Sequence, residues 1–201
     1  MDRKLKIIHI NSVYLHAKCR QMLKSIILFF RSRKIKKNQQ QRMLLQFPDL
    51  QKYPTMTLLV DNAKKDVVKG MKTVVEDLFK PKSVRFVILT EMMQDDCSQD
   101  DMILCVEKND FNMFGILKKE KEMTLRLMHD EVFVNLSDNN ENLLNDYLVS
   151  CIDSKFKIGH SKTNMKLHDL VIDYGIEKKD TECLKILYKY LMMLSGNKNE
   201  K

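Results

Sequence analysis

The chain has 201 residues, of which 44% are hydrophobic and 31% charged. That composition excludes a disordered polymer and fits one globular domain, with room for an appendage. The net charge is +8, and it is uneven: residues 1–45 hold twelve Lys/Arg against one acid, Asp2, so the front carries +11 and the rest −3. A basic segment on a mildly acidic body calls for an anionic partner or an acidic docking face.

Residues 1–47 contain neither Pro nor Gly. Tyr14, Leu15, Met22, Leu23, Ile26, Ile27, Phe29 and Phe30 alternate with cations, so a helix is predicted from about residue 12 to about residue 37. A secretion signal is excluded because the apolar run Ile26–Phe30 is too short and no small-residue cleavage site follows. A membrane span, which needs roughly 20 apolar residues, is excluded as well. Two readings stand. The helix caps the body and its lysines are merely solvated. Or it is an arm whose Lys18, Arg20, Lys24, Arg31, Arg33, Lys34, Lys36, Lys37 and Arg42 meet RNA, the ribosome or an anionic membrane surface. The segment lacks the interleaved aromatics of a base-stacking surface.

Pro48 and Pro54 bracket a linker, residues 48–54. The body, 55–195, opens with the strand Thr55–Val60. Asp61 or Asn62 is expected to cap the helix that follows. In that helix Val67, Val68, Met71, Val74, Val75, Leu78 and Phe79 share one face, and Lys80-Pro81 ends it. Val84, Phe86, Val87, Ile88 and Leu89 make a second strand, a nearly continuous apolar run as in the middle of a covered sheet. An acidic loop (Glu91, Asp95, Asp96, Asp100, Asp101) lacks the glycine and spacing of a calcium loop, and is expected to be solvated or to attract the basic arm. A third strand, Met102–Val106, precedes the loop Asn109–Gly115. A short helix is predicted over Glu120–Asp130.

The stretch Glu131–Asp173 carries the fold most clearly. Val132–Leu136 is a strand. Leu143, Leu144, Tyr147, Leu148, Cys151 and Ile152 form one helical stripe. Phe156–Ile158 and Leu170–Ile172 are two more strands. Strand–helix–strand at this spacing is a crossover of a mainly parallel sheet. A last helix begins at Asp180 or Thr181, and residues 196–201 are expected to fray. The predicted architecture is a three-layer, Rossmann-like α/β sandwich with five or six strands, preceded by a basic helix.

No catalytic signature is present: the chain has no GxSxG, P-loop or GxGxxG, and the five histidines and five cysteines show no metal-ligand spacing. No cofactor and no metal is expected. The cysteines are expected to be reduced thiols. In doubly wound folds ligands meet the carboxyl ends of the strands. There the sequence offers Asp61, Glu91, Asn112, Asn135, Ser137, His160 and Asp173, and the candidate pocket is Asn112, Ser137 and His160. For each of these a solvated or capping role competes.

Phe111-Asn112-Met113-Phe114-Gly115, then VFVNLS, YLVSCIDSKFKIG and HDLVID, resemble an uncharacterised family of short Bacteroidota proteins. The resemblance covers about residues 10–175. It implies an α/β domain and a cytoplasmic location, and it assigns no activity. The strand–helix–SKFKIG order is also similar to the N-terminal half of heptosyltransferases, whose second, nucleotide-sugar-binding domain has no counterpart here. Two functions follow as expectations. The first is a non-enzymatic binding protein whose basic helix engages an anionic partner. The second is a small-ligand sensor, or a reduced glycosyltransferase-like enzyme.

Overall fold

The computed structural model describes residues 2–41, 45–49, 52, 54–90, 102–174 and 179–196, with backbone alone for 2–17 and 196. Arg42, the acidic loop and the C-terminal tail lie outside the described residues.

Six strands form one sheet: β1 (Thr55–Asp61), β2 (Ser83–Thr90), β3 (Ile103–Glu107), β4 (Asp130–Asn135), β5 (Ser154–His160) and β6 (Leu170–Ile172). Their order is β3-β2-β1-β4-β5-β6, and every pairing is parallel. The chain runs outward from β1 to β3, then returns to place β4 on the other side of β1. That is the doubly wound order, with its switch point between β1 and β4.

Helices cover both faces. α2 (Lys65–Phe79) and α5 (Asp180–Gly196) share one side, where Val68, Met71, Val75, Leu184, Leu187 and Leu191 close over Met56, Leu58, Val60, Phe86 and Ile88. The other side holds α1 (Asp2–Gln40), α3 (Lys119–Arg126) and α4 (Leu144–Cys151). There Ile35, Leu125, Tyr147 and Leu148 close over Leu59, Val87 and Phe133. Alternate residues of each strand thus feed opposite cores, which explains their nearly continuous apolar runs. The three-layer α/β architecture and its six-stranded sheet are as the sequence predicts.

Several boundaries differ, each for a physical reason. α1 extends beyond the predicted ends. Neither Asp61 nor Asn62 caps α2; Lys64 takes that position without a side-chain cap. α3 stops at Arg126, and Asp130 instead begins β4, buried and bonded to Thr57 and Arg85. Of the expected thiols, Cys19, Cys151 and Cys183 stay outside any disulfide, whereas Cys105 is disulfide-bonded.

The second half of α1 is packed onto the body rather than detached. Ile27, Phe30, Arg31, Lys34, Ile35 and Asn38, one helical face, turn inward; the docked stretch lies against α4. Asn38 is buried and donates to Ser150 Oγ at 3.0 Å. Lys34 meets Glu122 at 3.2 Å, and Arg126 joins the same carboxylate at 3.0 Å. Burial works to raise the Glu122 carboxyl, but the bonds from Arg126 and Lys34 prevail and hold it below the ordinary range.

Candidate functional site

Three connections converge at the carboxyl ends of β1 to β4. The turn after β1 contains Asn62, whose φ of 44° is left-handed and whose N–H donates to Leu89 O at 2.8 Å. After β3 comes a short 3-10 turn, Lys108–Asp110, and a loop closed by an isolated Phe111–Leu117 bridge. Asn112 organises that loop: its Oδ1 accepts from Phe114 N at 2.9 Å and Ile116 N at 3.2 Å. Gly115 sits at φ 69°, and a Cβ there would lie 2.7 Å from Ile27 Cγ2, so the close seat of α1 requires glycine.

The third connection follows β4. Asp61 is its anchor, not a helix cap. Its Oδ1 accepts from Ser137 Oγ at 2.6 Å, and its Oδ2 accepts from the N–H groups of Asp138 at 2.8 Å and Asn139 at 3.1 Å. Further along, Asn142 and Leu143 both have left-handed φ, 50° and 58°. Asparagine tolerates that conformation; a leucine there costs roughly 1–2 kcal/mol. Leu143 recovers part of the cost by packing against the α4 core. Backbone strain of this kind gathers at functional loops.

Arg31 joins these loops. It is buried, donates through Nε to Gly115 O at 2.9 Å and through Nη1 to Asn142 O at 2.9 Å, and stacks over the Phe111 ring at 5.5 Å. Burial draws its pKa below the ordinary value, against the pull of Tyr147 and Glu141. One guanidinium from α1 thus fixes both lips of a cleft of about 990 Å³. The cleft is lined by Arg31, Lys108 and Lys118, by the amides of Asn62, Asn109, Asn112, Asn139 and Asn142, and by Thr90, Phe111 and Met113. Glu141 is the one acid among the described lining residues, and Lys24 lies 3.5 Å from it.

A buried polar network sits on the β5 side of the switch point. Asn135 Nδ2 donates to Asn145 Oδ1 at 2.9 Å and lies 3.3 Å from His168 Nε2. His168 Nδ1 is 2.9 Å from Asn164 O. The ring therefore donates through Nδ1 and accepts at Nε2, the neutral tautomer. Burial lowers its pKa, consistent with that state. Gly159 carries no side chain because a Cβ would collide with Thr163 and with the His168 ring.

The candidate pocket residues are thus divided. Asn112 lines the cleft. Ser137 is fully buried with its hydroxyl committed to Asp61, which does not suit a nucleophile. His160 Nε2 lies 3.0 Å from Ser137 O and 3.5 Å from Asp138 Oδ1, so Ser137 and His160 meet away from the cleft lining. Of the nine basic candidates, Arg31 is internal, Lys24 and Lys34 face carboxylates, and Lys18, Arg20, Arg33, Lys36 and Lys37 are exposed. Lys108, Lys118 and the asparagines after β4 were not picked out from the sequence. Their signal was weak: polar residues just past apolar runs. Among the described residues no group of three or more His, Cys, Asp or Glu could hold a metal ion.

A family profile described as a family of unknown function, DUF6913, matches residues 28–194. The chain belongs to that family. The matched span includes the whole sheet and α1 from Leu28 on, so Arg31 and, apart from Ile27, the described lining of the cleft fall inside the DUF6913 domain. No curated protein and no solved structure matches the chain.

Proposed function

We propose that this DUF6913 protein binds an anionic small molecule of nucleotide size in the cleft at the carboxyl ends of β1 to β4. The observation that carries the reading is the cleft's position and charge together. It opens where the strand order reverses, and among its described lining residues the cations Arg31, Lys108 and Lys118 outnumber the one acid, Glu141. The asparagines along its wall, Asn112 with its Nδ2 and Asn142 with its Oδ1 among them, offer both donors and acceptors to ring atoms and hydroxyls. The turn after β1 is Asp61-Asn62-Ala63-Lys64, without the glycines of a backbone phosphate cradle. Phosphate or carboxylate groups would therefore be gripped by lysine side chains. The reading is one of binding rather than turnover, since the buried Ser137 and the loop-anchoring Asp61 are spent on structure.

Thermal denaturation of the full chain with nucleoside phosphates and nucleotide sugars tests this. A bound ligand at a hundred times its Kd stabilises by about 2.7 kcal/mol. The expected result is a rise in Tm with at least one probe, lost in Lys108→Glu/Lys118→Glu. A response confined to nucleotide sugars would favour the glycosyltransferase-like version. No rise with any probe overturns the reading, and an undiminished rise in the double variant removes the cleft as the site.

A further inference from the structure

The outward side of α1 carries a second, independent feature. Met22, Leu23, Ile26 and Phe29 recur at i, i+1, i+4 and i+7, which is one helical stripe. That stripe borders the inward Ile27–Phe30–Arg31–Lys34–Asn38 face that docks on the body, and its centre points away from it. Met22 is 63% exposed and Phe29 60%. The apolar surface continues off the helix: Phe29 meets Phe30 edge-on at 5.5 Å, Phe30 meets Phe114 at 4.8 Å, and the neighbouring Met113 is 79% exposed. Around it stand Lys18, Arg20, Arg33, Lys36 and Lys37, none paired with a carboxylate among the described residues. No described helix is long and apolar enough to cross a membrane.

We infer that this apolar stripe and its ring of cations dock the protein flat on an anionic lipid surface. The inference stands on α1 and does not depend on the cleft. Three occupants can be weighed by chemistry. A second copy would press cation against cation, because no acid lies between Asp2 and Asp49. A nucleic acid would satisfy the cations but leave Met22, Leu23 and Ile26 in water. An anionic bilayer satisfies both: acyl boundary for the stripe, headgroup charge for the lysines and arginines. Exposed aromatic and methionine side chains beside cations are the residues that enter such an interface.

The test is sedimentation of the full chain with vesicles of phosphatidylcholine alone or with phosphatidylglycerol, and gel-shift titration with a single-stranded RNA oligonucleotide. Binding is expected to phosphatidylglycerol vesicles, to weaken with salt, and to be far weaker on phosphatidylcholine. Met22→Ser/Phe29→Ser, which alters only exposed side chains, is expected to lower the partition coefficient by about tenfold or more. Lys36→Glu/Lys37→Glu is expected to lower it as well, by about fivefold per charge removed. The inference is overturned by no binding to the anionic vesicles, by equal binding to both vesicle types, by an unaffected Met22→Ser/Phe29→Ser variant, or by tight RNA binding without vesicle binding.

Discussion

Arg31 donates to the carbonyl oxygen of Asn142 at 2.9 Å, and Asn142 is one of two consecutive left-handed residues at the lip of the cleft. The same guanidinium reaches Gly115 O on the opposite lip. Helix α1 is therefore part of the cleft's frame. Arg31→Met keeps the apolar stem and deletes the fork. Charged hydrogen bonds of this kind are worth about 1.5–3 kcal/mol each, but both carbonyls can recover some water. A net loss of about 2–3 kcal/mol is expected in urea unfolding. Arg31→Lys is expected to recover little, since an ammonium cannot span both carbonyls with one planar group. Full recovery by lysine would show that charge, not the fork, holds the lips.

At the opposite end of the sheet, Asp130 is buried at the start of β4 and is bonded to Thr57 of β1 and to Arg85 of β2. It ties three adjacent strands at their amino ends. Asp130→Ala strands a partly buried guanidinium and a fully buried hydroxyl. The expected cost is about 3 kcal/mol, the lower end for breaking a buried ion pair because Arg85 keeps some contact with water. Ligand binding in the cleft should survive, because the site lies at the carboxyl ends. A loss of binding without a loss of stability would contradict that separation.

His168 is held neutral between Asn164 O and Asn135, and burial lowers its pKa in the folded state. A histidine with a lowered folded pKa takes up its proton on unfolding. Its contribution is therefore complete above the unfolded pKa, about 6.5, and is lost as pH falls from there toward the folded pKa. Unfolding free energies of the wild type and His168→Gln are expected to differ most near pH 7.5 and to converge toward pH 5.5. A gap that stays constant over that range would mean the ring is not neutral in the folded protein.

The strands were legible because their residues alternate between two buried cores and so read as nearly continuous apolar runs. Val84–Leu89 lands within a residue of the observed β2, and Val132–Leu136 within two of β4. The helices α2 and α4 were legible from their stripes. Polar roles were not. Asp61 follows a strand and precedes a helix, which is a cap by local chemistry; only the return of the chain to β4 brings Ser137 and Asn139 into its reach. Arg31 looked like one more cation in a basic run. Its burial depends on Gly115 and Asn142, 84 and 111 residues away in sequence. Charge counting treats all nine cations alike, whereas tertiary packing sorts them into one buried brace, two paired with carboxylates, five on the surface and Arg42 outside the described residues.

Asp180 opens α5 with its carboxyl pKa raised, by burial first and then by the charges of Asp61 and Asp138. A helix N-terminus would stabilise its negative charge by about 0.3–1 kcal/mol, so the raised value says that burial and repulsion outweigh the dipole. A carboxylate with a raised folded pKa destabilises the fold once ionised. Stability is therefore lost as pH rises from the unfolded pKa, about 3.9, through the folded one. Asp180→Asn removes the charge and keeps a side chain suited to a helix start. The variant is expected to be more stable than the wild type at pH 7, with the gain fading toward pH 4. Since Asp61 anchors the loop after β4, the same substitution made in Asp61→Asn should show no gain, because there the charge accepts three hydrogen bonds. A destabilised Asp180→Asn at pH 7 would mean the helix dipole prevails over repulsion after all.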